Sequence, residues 1–159
     1  VSDEAKEVIK IIAKMYQDGV LDPEFVTGKE AISGSYWATA GFINNSDALI
    51  GSALERESML STAMDFGLAF PHIRGVEGGS LTLACGVSKE PFEWDASGTK
   101  TSIVFLITIP AAVSAFYMRL ISGLTEAFLK EANRNALIDA ETPQALWKAL
   151  VKATRNTIK

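Results

Sequence analysis

His72 is the only histidine among 159 residues, and it follows the apolar run Phe66-Gly67-Leu68-Ala69-Phe70-Pro71 and precedes Ile73-Arg74-Gly75. Imidazole is the side chain that is readily neutral and nucleophilic near neutral pH. Such a nucleophile can hold a transferred group covalently and divide one hard transfer into two easier ones. A strand that ends at Phe70-Pro71 would fix the ring, and the glycines beyond it would leave room for a partner to approach. Arg56 and Arg74 carry planar guanidinium groups that match phosphate geometry, so phosphoryl transfer is the chemistry these residue types favour. The opposing reading is a surface or capping histidine, with Arg56 and Glu57 a solvated pair at a helix end and Thr62 a turn hydroxyl. Asp65 has the wrong charge to help hold a phosphate and is read as facing solvent.

Other chemistries lack their residues. The chain contains no G-x-x-x-x-G-K-[ST] loop, no G-x-G-x-x-G and no G-x-S-x-G elbow, which removes the usual nucleotide cradles and the serine-hydrolase turn. One histidine and one cysteine cannot build a typical zinc site of about four nitrogen or sulfur ligands. No metal and no cofactor are expected. Cys85 lies in an apolar stretch and reads as a buried structural thiol; a hydrolase pairing Cys85 or a serine with His72 is the minor alternative. A net charge of −4 gives no basic footprint for nucleic acid. A single cysteine permits no internal disulfide and suits a reducing, cytoplasmic setting. The amino end is charged and amphipathic, unlike a signal peptide, and the missing initiator methionine suggests an excised or processed chain. Thr101 to Met118 is uncharged over 18 residues, close to the minimum for a membrane span. Its β-branched first half, central Pro110 and alanine-rich second half instead read as a buried strand, a break and a packed helix.

These residues must be held by a fold, and the periodicity describes one. Ser2 can cap a first helix whose apolar face is Ala5, Val8, Ile9, Ile12, Met15 and Tyr16, with Gly19 as its stop. Asp22-Pro23 opens a new element, and a second helix is expected from Lys29 to Ala40. Leu49, Ile50, Ala53 and Leu54 mark a third helix that runs into Arg56-Glu57. The period then changes. Phe66 to Phe70 and Leu81 to Val87 read as strands, Pro91 to Asp95 as an edge strand or loop, and Ile103 to Ile109 as a central strand covered on both faces. Helices follow at Ala111 to Lys130, at Asn133 to Ala140 and after Thr142-Pro143. The fold class is therefore α/β, a single mixed sheet sandwiched by helices on both faces.

Taken together, Arg56-Glu57, Ser61-Thr62 and Gly67-Leu68-Ala69-Phe70-Pro71-His72 resemble the signature R-E, S/T-T, G-I-A-I-P-H. That signature belongs to the enzyme IIA components of the bacterial sugar phosphotransferase system, fructose/mannitol type, a group that includes nitrogen-regulatory paralogues. Lys29-Glu30-Ala31-Ile32, Gly41-Phe42-Ile43 and Leu54 are similar to the family's opening, Val104 to Pro110 to its central strand, and Arg119 to Leu124 to its next helix. The resemblance covers about residues 27 to 155 and makes 27–159 the enzyme IIA domain, with 1–26 an extra amino-terminal helix or linker. It implies that His72 accepts a phosphoryl group from the phosphocarrier HPr and passes it to a IIB component without a metal. Arg56 would then be the phosphate's charge partner and Thr62 a pocket hydroxyl. Tyr117 stands where the family commonly has a second histidine, and it offers a neutral donor in place of a cation. The alternative within the family is a regulatory module whose affinity for a target is controlled by His72. Sugar recognition in these systems belongs mainly to the membrane IIC component.

Overall fold

The computed structural model describes residues 2, 3, 5, 6, 46–76, 81–111 and 114–158. Within them the chain runs α1 (Ser46–Met59), β1 (Ala63–Met64), a 3-10 turn (Asp65–Gly67), β2 (Leu68–Ala69), β3 (His72–Val76), β4 (Thr82–Glu93), β5 (Lys100–Pro110), α2 (Ser114–Phe128), α3 (Glu131–Ile138) and α4 (Pro143–Thr154). The second helix expected from Lys29 to Ala40, most of the first, and the boundary at residue 27 lie outside the described residues. The start of the first helix is visible: Asp3, Ala5 and Lys6 are helical, and the Ala5 N–H donates to the Ser2 hydroxyl at 3.0 Å.

β5 is the centre of the sheet, buried at every position from Thr101 to Pro110. One edge pairs in parallel with β2 and β3, the other antiparallel with β4, and β1 folds antiparallel onto β2. Successive side chains of β5 point to opposite faces, and each face is covered by helices. Ile103, Phe105, Ile107 and Ile109 pack against Leu120, Leu124 and Phe128 of α2, Leu137 of α3, and Leu146 and Leu150 of α4. Val104 and Leu106 pack with Trp94, Ala53 of α1 and Ala5. The mixed sheet between helix layers is the α/β class that the sequence implies. Of the uncharged run, Thr101 to Pro110 lie in β5 and Ser114 to Met118 open α2, and no helix among the described residues is long and apolar enough to cross a membrane.

Several strand boundaries differ from the sequence reading: the strand expected to end at Phe70-Pro71 resumes as β3 over His72–Val76, β5 starts at Lys100 and not at Ile103, and two further differences have a visible cause. The strand expected from Phe66 begins only at Leu68, because Phe66 and Gly67 both adopt positive φ, 68° and 75°. Glycine takes that conformation freely, whereas phenylalanine does so at a cost of roughly 1–2 kcal/mol. The Phe66 ring lies 4.9 Å beneath the Arg134 guanidinium, which also donates to the Phe128 and Leu129 carbonyls at the end of α2. A contact from α3 thus holds the turn. β4, in contrast, is longer than expected: it joins Leu81–Val87 and the Pro91 segment into one edge strand. Its register shifts between Val87 and Phe92, the interval that contains Pro91, where a missing N–H disturbs the ladder least.

Candidate active site around His72

β2 and β3 behave as one strand interrupted at Phe70-Pro71. Leu68 and Ala69 oppose Ile103 and Val104, and after the interruption His72, Ile73 and Arg74 oppose Ile107, Thr108 and Ile109 with no slip. The Pro71 carbonyl accepts from the Ile107 N–H at 3.0 Å, so the proline removes a donor without breaking the alignment. The alternation therefore carries through: Phe70, His72 and Arg74 share the α2 face, and Ala69 and Ile73 share the α1 face. Phe70 stacks on Phe105 at 5.4 Å between ring centres, interplanar angle 15°, which anchors the residue just before the Pro-His step.

His72 is buried, with 6% of its surface exposed. Its Nδ1 lies 3.1 Å from the Phe70 carbonyl oxygen. A carbonyl only accepts, so Nδ1 must carry the proton, and in the neutral ring Nε2 keeps its lone pair. Burial lowers the imidazole pKa from the ordinary 6.5; the Phe70 hydrogen bond opposes this, the Arg56 and Arg74 charges add to it, and Glu57 opposes it. All three charged side chains thus act on the ring, Arg56 and Glu57 from the end of α1 and Arg74 from β3. Because the unfolded chain takes up a proton near 6.5 and the folded ring resists it, this group's stabilising contribution is complete above 6.5. It is lost as pH falls from there through the folded pKa. A nitrogen-15 NMR titration of His72 is expected to show a midpoint below 6.5; a midpoint at or above it would contradict this picture.

Tyr117 of α2 lies against the histidine, ring centres 5.0 Å apart and planes tilted by 36°. The Arg74 guanidinium carbon sits 5.2 Å from the centre of the same tyrosine ring. Burial raises the Tyr117 pKa, opposed by the charge and hydrogen bond of Arg74 and by the charge of Arg56, so the phenol is neutral at pH 7. The structure thus brings His72 and Tyr117 into contact and sets Arg74 over the same tyrosine ring, while Arg56 acts on both rings through its charge and donates to the Leu60 carbonyl at 3.3 Å. The placement of Arg74 could be read from the sequence: counting by twos from His72 along a strand puts it on the same face.

Thr62 is held by Glu57. Its hydroxyl donates to the Glu57 carboxylate, with oxygens at 2.9 and 2.8 Å, and its N–H donates to Glu57 Oε1 at 2.6 Å. Trp94 Nε1 donates to the same oxygen at 2.6 Å. Glu57 is only 2% exposed, so the acidic half of the Arg-Glu pair is a buried latch and not a solvated partner. It ties the end of α1 to the strand that leads toward His72. The neighbouring Ser61 hydroxyl donates to Asp95 at 2.6 Å. With Ser97 and Thr99 it holds the Asp95 carboxyl well below the usual carboxylate range. Sequence reasoning missed both Glu57 and Trp94; their signal, a carboxylate and an indole far apart in the chain, is visible only once the fold joins them. Cys85 is buried in β4, and desolvation pushes its thiol far above the ordinary range, which makes it a structural residue and not a nucleophile. Among the described residues no group of three or more histidine, cysteine, aspartate or glutamate side chains could hold a metal.

Residues 2–153 match the family model described as phosphoenolpyruvate-dependent sugar phosphotransferase system, EIIA 2. The chain is 30% identical over 114 residues to the PTS system fructose-specific EIIA component of Haloferax volcanii, covering 71% of this chain and 74% of that protein. It is 25% identical over 155 residues to the 2-O-alpha-mannosyl-D-glycerate-specific EIIABC component of Escherichia coli, covering 94% of this chain but only 24% of that longer protein. The crystal structure of IIA mannitol from Escherichia coli superposes with a TM-score of 0.63 at 14% identity, covering 94% of this chain and 98% of that one, a likeness of fold. With the match spanning nearly its whole length, the chain belongs to the EIIA 2 family of the phosphoenolpyruvate-dependent sugar phosphotransferase system.

Proposed function

We propose that the protein is a phosphoryl carrier that accepts a phosphoryl group on Nε2 of His72 from a phosphohistidine donor of the HPr type and passes it to a IIB component. The observation that carries this reading is the Nδ1–H to Phe70 hydrogen bond, which leaves Nε2 as the nucleophilic nitrogen of a ring that feels the charges of Arg56 and Arg74. The Nε2 lone pair attacks phosphorus, the new N–P bond forms, and the donor's N–P bond breaks with its electron pair returning to the donor ring. No proton has to leave His72. The product is a cationic ring with its Nδ1 proton still held by the Phe70 carbonyl, bearing a phosphoryl group of charge between about −1.5 and −2. Arg56 offsets that charge, and Thr62 supports the site through Glu57. The step needs little beyond positioning and charge compensation. A IIB acceptor is supported by the designation EIIABC of the Escherichia coli relative, which joins an EIIA with B and C components.

The test is incubation with phosphoenolpyruvate, enzyme I and HPr, followed by addition of a IIB domain. One acid-labile phosphoryl group per chain, gained and then discharged to IIB, is the expected result. Uptake without discharge to any IIB domain would favour the regulatory role, and absence of uptake would overturn the reading.

A further inference from the structure

Tyr117 packs against His72 and at the same time lies beneath the guanidinium of Arg74. Arg74 is exposed, its stem fixed by pairing of β3 with β5, so its charged head is free to meet an incoming anion. Tyr117 is buried to 7% exposure on α2, so its ring is a rigid platform. A guanidinium over an aromatic face is held by electrostatic attraction to the ring and by planar stacking.

We infer that Arg74 is a second phosphate-binding cation of the His72 site and that Tyr117 is its positioning residue, the pair supplying from a strand and a helix the positive charge that a second histidine would otherwise supply from the helix alone. The inference rests on the phosphoryl-carrier reading and extends it to residues that the motif does not assign. The strand period puts Arg74 on the His72 face, and the tyrosine limits the directions its guanidinium can take, so less freedom is lost when the phosphate arrives. The charge effects of Arg74 on both His72 and Tyr117 are consistent with this closeness.

Two measurements decide it. In the first, the equilibrium of phosphoryl exchange with HPr is measured for single and double variants. Arg74→Ala is expected to shift it against this protein on the order of tenfold. That is less than the 10²–10³ cost of removing an enclosed oxyanion donor, because an exposed charge is partly screened. Arg74→Lys should recover part of the loss. Tyr117→Leu, which keeps apolar volume but removes the aromatic face, should match Arg74→Ala, and Tyr117→Phe should fall between. The Arg74→Ala/Tyr117→Leu double variant should be no worse than Arg74→Ala alone, since the two residues act as a unit. Additive losses would overturn the positioning role, and an unchanged equilibrium in Arg74→Ala would overturn the inference.

The second measurement follows the His72 ring nitrogens by NMR during titration with inorganic phosphate. The half-saturating concentration should rise about tenfold in Arg74→Ala, the same charge being lost. If the wild-type protein takes no phosphoryl group from HPr, the carrier reading fails and this titration alone decides the inference. An Arg74-dependent response then upholds it, and a response independent of Arg74, or none, overturns it.

Discussion

Replacing His72 with alanine is expected to abolish acid-labile phosphorylation, a loss of more than about a thousandfold in the transfer rate, as for removal of other covalent nucleophiles. No other side chain can take over. The chain holds one histidine and one cysteine, and the cysteine is buried with its thiol pushed far up. The variant should still fold. It loses the hydrogen bond to Phe70 and the contact with Tyr117, at a cost of about 1–3 kcal/mol, typical of a buried polar truncation. Circular dichroism and urea unfolding check the fold, and mass spectrometry after incubation with phosphoenolpyruvate, enzyme I and HPr checks the activity. His72→Gln, which keeps a hydrogen-bonding side chain, should be closer to wild type in stability and equally inactive. Labelling of either variant at the wild-type level would place the acceptor elsewhere.

Glu57→Ala carries the largest expected effect on stability. The carboxylate receives the Thr62 N–H, the Thr62 hydroxyl and Trp94 Nε1–H, and its removal strands the indole N–H, since Trp94 is fully buried. An orphaned buried donor costs about 1–3 kcal/mol, and hydrogen bonds to a charged acceptor add to it, so the total is about 3 kcal/mol. For a chain of this size that corresponds to a fall in Tm of roughly 6–12 °C. Glu57→Gln should cost much less, because its carbonyl oxygen still accepts from Trp94 and Thr62 while the Thr62 hydroxyl can turn to accept from the amide nitrogen. Folded Glu57→Ala protein should also transfer phosphoryl groups slowly, since the end of α1 that carries Arg56 is no longer tied to Thr62 and Trp94. A calorimetric Tm for Glu57→Ala within about 1 °C of wild type would contradict the latch, on the same size scaling.

The parts of this molecule that were legible in the sequence share a local cause. The run from Ile103 to Ile109, apolar at every position but Thr108, reads as a strand covered on both faces, and it is the centre of the sheet. Thr142-Pro143 announces a helix start, and the Thr142 hydroxyl accepts the Ala145 N–H. The family motif puts His72 at the Pro-His step, where β3 begins. The illegible parts depend on partners distant in the chain. Phe66 reads as a strand residue by propensity, yet it lies in a positive-φ turn held by Arg134. Arg56-Glu57 reads as a solvated pair, yet the glutamate is buried against Trp94, 37 residues away. In both cases a tertiary contact overrides a local preference, which for strand propensity spans only about 1 kcal/mol.

The central claim is chemical: Nε2 of His72 bears the phosphoryl group while Nδ1 keeps its proton for the Phe70 carbonyl. Long-range proton–nitrogen correlation and phosphorus NMR of the phosphorylated protein test it directly. Phosphorus bonded to Nε2 of His72 and a protonated Nδ1 are the expected result. Phosphorus on Nδ1, or on any residue other than His72, would contradict it.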